Sequence, residues 1–352
     1  MKQGKKKHGC LTALLISLGL IVVLLIGLLI IRTVKRSSRS KVPAGGINES
    51  MYAEINGTKQ WINIYGQKKE NPVLLYLHGG PGNAVSPLGG AVTKKWTDVY
   101  TVVTWDQRNC GKSYSEDQNS TPITMELMMQ DGKAMTEFLR KHLGVDKITL
   151  LGHSWGSYLG ANLALEYPEY YDCFIGTGQL TDWARNEEMF AEQAKKWVGT
   201  DPEGKELLSQ LGTENHNAAK AALLSKYRYS DIDDGFDFNS FDAMLNNPWY
   251  SLKDWGRYFG LSRKVYDDFF SSKEFQEFSL FGRTEYEMPY YNINGGADYM
   301  VNYELAQEYY DTVSAPRKKM YLMADTRHGL LLAKTEEFSE ILHEIAAAEH
   351  PQ

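Results

Sequence analysis

Ser154, Asp298 and His328 lie in this chain in an order and setting suited to nucleophilic catalysis. Ser154 stands within Gly152-His153-Ser154-Trp155-Gly156, directly after the β-branched, apolar run Ile148 to Leu151. Leu159, Leu163 and Leu165 then follow among small residues, a helical pattern that ends before Pro168. Strand, sharp turn and helix is the setting in which G-x-S-x-G becomes a nucleophile elbow, with the serine in strained backbone and its hydroxyl exposed above a sheet. The two glycines leave room where a Cβ would crowd the turn. The same pattern also serves as a plain small-residue turn into a helix, so the partners elsewhere in the chain decide between the two.

A serine hydroxyl is a weak nucleophile that needs a histidine to take its proton and an acid to orient that histidine. In such elbows the chain order is serine, acid, histidine. His216, His328, His343 and His350 follow Ser154. His328 comes just beyond the last strand-like run, in the loop Asp325-Thr-Arg-His-Gly, and is the expected base. His343 falls in an amphipathic helical pattern, His350 at the chain end and His216 in a region that reads as a cap. The expected acid is Asp298, which follows the strand and glycine turn Ile293-Asn-Gly-Gly-Ala. Asp325 competes, although it lies three positions from His328 in one loop. Asp298 could otherwise cap the helical run that starts near Tyr303. A tetrahedral intermediate needs two backbone N–H donors. Trp155 supplies one, and His78-Gly-Gly-Pro-Gly82 the other through Gly80, since Pro81 carries no N–H. His78 and His153 read as structural.

The elements that must position these residues alternate in type. Tyr52 to Asn56 and Trp61 to Tyr65 flank Asn56-Gly57, a hairpin signal. Val73 to Leu77, Val99 to Trp105, the elbow strand, Asp172 to Gly176, Pro289 to Asn294 and Lys319 to Met323 read as strands. Leu127 to Leu143, Tyr303 to Val313 and Lys334 to Ala348 read as helices. Residues 179–285 lack apolar β runs and are rich in aromatics and acids, which reads as a mainly helical insertion. The expected fold is α/β: an α/β-hydrolase catalytic body (42–178 and 286–352), its mostly parallel sheet covered by helices on both faces, with a helical cap (179–285).

Residues 1–41 carry nine Lys/Arg and no acid, which leaves 29 basic against 44 acidic residues in the remainder, a net of −15. A body this acidic is a poor partner for nucleic acid or anionic lipid. Leu11 to Ile31 is nearly free of polar residues, and 21 helical residues span about 31 Å, close to the hydrocarbon thickness. Arg32-Thr-Val-Lys-Arg follows in place of a small-residue cleavage site, so an uncleaved anchor in the cell membrane is expected. Four lysines precede the span and five Lys/Arg follow it, a near tie; the expectation is an exported, extracellular catalytic body. Residues 32–50, rich in Ser, Lys, Arg and Gly, read as a flexible stalk. The three cysteines form no disulfide or metal framework.

Three motifs in order, His78-Gly-Gly-Pro-Gly82, Asp106-Gln-Arg-x-x-Gly111-x-Ser113 and Gly152-His-Ser-Trp-Gly-Ser157, resemble the prolyl aminopeptidase (proline iminopeptidase) family of α/β-hydrolase serine peptidases. The resemblance covers roughly residues 52–178 and 286–345. It implies Ser154 as nucleophile, Asp298 and His328 as its partners, Gly80 and Trp155 as the oxyanion hole, and release of N-terminal residues from short peptides. Asn109 stands where the family pattern has glycine, and asparagine tolerates left-handed backbone. Family members that cut N-terminal proline hold the substrate ammonium with cap glutamates, one in a Trp-Glu pair. No Trp-Glu occurs here. The cap offers Glu187 and Glu188 beside Trp183, and further along Asp231, Asp233, Asp234 and Asp237. A carboxylic ester or N-acyl amide is the alternative substrate class for the same triad, and a binding protein that has lost catalysis is the reading outside enzymes. No cofactor is implied: no metal cluster is visible, and residues 79–82 lack the Lys-Ser/Thr of a phosphate loop.

Overall fold

In the computed structural model, residues 3–118, 120–229, 238–259 and 264–351 are described. Eight strands form one sheet in the order β1-β2-β4-β3-β5-β6-β7-β8. They are β1 Ile47–Ile55, β2 Thr58–Gly66, β3 Val73–Leu77, β4 Thr101–Asp106, β5 Ile148–His153, β6 Tyr171–Thr177, β7 Tyr290–Gly295 and β8 Lys318–Met323. The hairpin turns at Asn56 (φ 43°) and Gly57 (φ 75°), both left-handed, as a two-residue turn matched to strand twist demands. β1, β2 and β4 pair antiparallel; every later pairing is parallel. Strands β3 to β7 are buried on both faces, which explains apolar runs such as Val73–Leu77 and Ile148–Leu151.

Helices cover both faces of the sheet, which separates two apolar clusters. One gathers Leu75, Leu77, Trp105, Leu150 and Phe174 with the helices Met125–Leu143 and Trp155–Glu166. The other gathers Leu74, Tyr76, Leu151, Ile175 and Ile293 with Phe338, Leu342 and Ile345 of the C-terminal helix Thr335–Glu349. Neighbouring residues of one strand therefore serve opposite cores, as period-2 side-chain alternation requires.

Between β6 and β7 the described chain is helical: Trp183–Val198, Pro202–Ser209, His216–Tyr227, Phe238–Leu245, Leu252–Phe259, Lys264–Phe270 and Lys273–Gln276. The two ends of this insertion meet at an antiparallel bridge, Asp182 with Ser279, reinforced by Leu280 N–H donating to the Thr181 carbonyl (2.7 Å). Asp231, Asp233, Asp234 and Asp237 lie outside the described residues.

The N-terminal helix runs from Gln3 to Arg39, and its stretch from Leu14 onward is long and apolar enough to cross a membrane. Residues 32–39, expected as flexible stalk, instead continue this helix. Arg32, Lys35, Arg36 and Arg39 share one helical face, and all four donate to the cap stretch Asp242–Tyr250. That pairing is a tertiary effect which composition could not reveal.

Candidate active site

Every residue expected to do chemistry sits at the carboxyl end of a parallel strand: the Gly79–Gly82 loop after β3, Ser154 after β5, Asp298 after β7 and His328 after β8. In open α/β sheets this edge is where binding crevices form. Ser154 has φ 56° and ψ −123°, a region that residues with a Cβ rarely occupy. Its N–H donates to the Thr177 carbonyl of β6 (2.9 Å). The flanking glycines are obligatory for space. A Cβ on Gly152 would lie 2.2 Å from the Gly156 carbonyl oxygen, and one on Gly156 2.1 Å from that of Leu77.

Asp298 is buried, and its Oδ1 accepts from the N–H groups of Met300 and Val301 (3.0 Å each). Those bonds aim Oδ2 at His328 Nδ1, 2.7 Å away. The cap of the helix Tyr303–Thr312 is Asn302, so Asp298 does not serve that helix. Asp325 is exposed and in left-handed backbone (φ 49°). The other late histidines have partners of their own: Glu187 for His216 (2.6 Å), Asp98 for His343 (2.8 Å) and Asp172 near His350 (3.9 Å). His153 is half-buried, with its ring centroid 4.7 Å from that of His328. Burial, and then the neighbouring His328, push its pKa well below the ordinary range. It therefore stays neutral beside His328.

Trp155 is the first residue of the elbow helix, so its N–H belongs to the donors without an intrahelical acceptor. Gly80 has φ 124° and lines both cavities that meet at Ser154. The second motif holds this loop in place. Gln107 N–H donates to His78 Nε2 (3.2 Å), Gln107 Nε2 to the His78 carbonyl (3.3 Å), and Trp155 Nε1 to Gln107 Oε1 (3.3 Å). Arg108 pairs with buried Asp131 (2.6 Å), which also accepts from Asn56 and Gln60. Asn109 takes φ 53°. Asp106 is wholly buried, accepts from Ser86 Oγ and Lys112 N–H (2.8 Å each), and is pushed by burial up to about 6.

Two cavities share Gly80, Asn83, Ser154 and Met300. The cap-side cavity, about 270 Å³, is walled by Leu180, Trp183, Tyr266, Phe270 and Phe275, with Lys220 and Asp267. The other, about 430 Å³, is aliphatic (Val85, Leu88, Val92, Leu331, Leu332) and includes His328 and Tyr258. A larger cavity of about 950 Å³ lies at the opposite edge of the sheet, among Lys68, Val73, Asp172 and His350, away from these groups.

Of the expected substrate ligands, Trp183 lines the cap-side cavity, whereas Glu187 and Glu188 line neither. Glu188 is exposed. Glu187 is bound by Lys220 Nζ (2.6 Å), His216 Nε2 (2.6 Å) and Asn186 Nδ2 (2.9 Å). Burial raises its pKa, but His216 and Lys220 outweigh that and hold it below the ordinary range. Both glutamates are thus corrected: the first is committed inside the cap, and the second faces solvent. The charged group missed from sequence is Lys220, 2% exposed, whose Nζ also donates to the Met300 carbonyl (3.1 Å). A lysine in a helical run carries no local signal of this. Among the described residues, no group of three or more His, Cys, Asp or Glu is placed to hold a metal ion.

The sheet, elbow and carboxyl-edge crevice define a class, and comparison with known proteins agrees. The chain belongs to the alpha/beta hydrolase fold family, whose model matches residues 72–335. It is a hydrolase, and it is similar to curated proteins named as aminopeptidases. It is 27% identical over 302 residues to the probable aminopeptidase YbaC of Bacillus subtilis (strain 168), spanning 82% of this chain and 93% of that protein. It is 32% identical over 126 residues to a proline iminopeptidase of Lactobacillus helveticus, covering 36% of this chain and 42% of the relative. Its fold matches a proline iminopeptidase-related protein from Thermus thermophilus with TM-score 0.64 and 21% identity, over 87% of this chain and 99% of the other.

Proposed function

We propose that the protein is a membrane-anchored serine aminopeptidase that releases N-terminal residues from short peptides through an acyl-enzyme. The observation that carries this is the 2.7 Å hydrogen bond between buried Asp298 and His328, at the rim of a cavity that Ser154 also lines. Ser154 Oγ attacks the scissile carbonyl while His328 takes its proton, and Asp298 holds the imidazole tautomer and stabilises the imidazolium. The N–H groups of Gly80 and Trp155 receive the oxyanion. His328 then gives its proton to the leaving amine and activates the water that releases the acyl group. The relatives named aminopeptidase support the substrate class. The N-terminal helix and its flanking cations support anchoring, and the expected side for the catalytic body is extracellular.

One observation favours a second reading. The cation Lys220 lines the cap-side cavity, and Glu187, which balances it, does not face that space. A substrate ammonium would meet that like charge, with exposed Asp267 as the lining carboxylate to offset it, whereas an ester or N-acyl amide would need no such balance. Turnover of proline, alanine and leucine anilides by the detergent-solubilised full chain, beside N-acetylproline anilide and a short-chain ester, separates the two. Cleavage of free-amine anilides alone supports the aminopeptidase. Cleavage of only the blocked anilide or the ester retires that name and leaves an esterase or amidase.

A further inference from the structure

Outside the N-terminal helix, the large apolar side chains that stand exposed among the described residues are Tyr52, Phe241, Leu245, Leu252 and Leu322. Three of the five, Phe241, Leu245 and Leu252 (42, 41 and 58% exposed), fall within one short stretch of the cap. That stretch is the one the N-terminal helix grips. Arg32, the first charged residue after the apolar run, donates to the carbonyls of Leu245 (3.0 Å) and Tyr250 (2.8 Å). One turn on, Arg36 donates to the Pro248 carbonyl (2.6 Å), and Lys35 and Arg39 pair with Asp242 (2.7 and 2.6 Å).

These bonds set a depth. At about 1.5 Å per residue, Arg32 lies at the end of the apolar run. The carbonyls it binds are therefore within a side chain's reach of the hydrocarbon edge, inside a headgroup layer roughly 5–7 Å thick on each side. Exposed Leu245 and Leu252 at that depth have lipid as their neighbour, and exposed Lys253 beside Leu252 supplies a cation at headgroup level.

We propose that Leu245 and Leu252 form an interfacial contact that seats the cap on the bilayer entered by the N-terminal helix. This rests on the reading of that helix as a membrane span. The seated stretch extends to Tyr258, which walls the aliphatic cavity at Ser154. Asn247 of the same stretch donates to the carbonyls of Ser86 and Pro87 (2.7 Å each), between the cavity residues Val85 and Leu88. One wall of the reaction space is therefore carried by the part of the cap that meets lipid.

The test uses the full chain with Cys10 replaced by serine, since Cys110 and Cys173 are buried. Single cysteines replace Leu24, Leu245, Leu252 or Leu322 and carry an environment-sensitive fluorophore. Each protein is reconstituted into phosphatidylcholine–phosphatidylglycerol vesicles doped with a lipid spin-labelled near the top of its acyl chain. Fluorophosphonate labelling of Ser154 reports folding in each variant. Leu322 is the control, because it lies on β8 at the far edge of the sheet from β1, whose Asn48 contacts Ser40 beside the anchor. The expected result is loss of emission at positions 24, 245 and 252 and none at 322. Loss at 24 with positions 245 and 252 as bright as 322 overturns the seating and leaves the span intact. No loss at 24 overturns the span, and the seating falls with it.

Discussion

A hydroxyl becomes a nucleophile only if its proton has somewhere to go, and in the proposed mechanism the base for Ser154 is His328, which Asp298 holds. Ser154→Ala should lower turnover on the order of 10³-fold or more and abolish fluorophosphonate labelling, with the fold unchanged by circular dichroism. Asp106 gives a prediction in pH. Its folded-state pKa is raised from 3.8 to about 6 by burial, so between those values the folded chain binds more protons than the unfolded one. Stability should therefore fall as pH rises through that window, by about 3 kcal/mol from this one group. Asp106→Asn stays neutral throughout and keeps an acceptor for Ser86 and Lys112. Urea unfolding at about pH 4 and about pH 6.5 should show a smaller drop for this variant than for the parent.

At the scale of elements, the geometry of the crevice depends on close backbone approach and on one buried ion pair. Gly156→Ala would drive a Cβ into the Leu77 carbonyl, a rigid backbone partner, so this variant should be poorly soluble or melt well below the parent. Asp131 ties the hairpin turn at Asn56, the Arg108 loop and the helix Met125–Leu143 together. With Arg108 5% and Asp131 0% exposed, Asp131→Ala strands a buried guanidinium and should cost about 3–5 kcal/mol in chemical denaturation. The central strands were legible because burial on both faces leaves apolar runs such as Val73–Leu77 and Ile148–Leu151. The hairpin was legible because Asn-Gly accepts two left-handed residues. The run Arg32–Arg39 was misread as a loose stalk, since it continues the apolar helix before it and its cations dock on a distant stretch of the cap.

For the whole molecule, the N-terminal helix and the hydrolase body are joined by more than a tether. Four basic side chains of one helix face meet the cap, and each exposed pair contributes only about 0.2–1 kcal/mol, so the grip is collective. Full-length protein should sediment with membranes and resist alkaline carbonate extraction; release into the supernatant would contradict the anchored reading. The cap is also where legibility ended. Its helices were predictable as a class, but which of its charges face the reacting serine depends on how helices far apart in sequence cross above the sheet.

Chain order, glycine spacing and apolar runs by themselves determined the α/β plan and the candidates Ser154, Asp298, His328, Gly80 and Trp155. These features act locally: a strand, a tight turn and a helix leave marks within about ten residues, and the carboxyl edge of a parallel sheet gathers the loops that follow. Only the tertiary structure decided the rest. It committed Glu187 to Lys220 and His216, left Glu188 in solvent, buried Lys220 in the cavity wall and set the N-terminal helix against the cap. Such long-range pairings follow from desolvation and geometry between elements, and no short stretch of the chain encodes them.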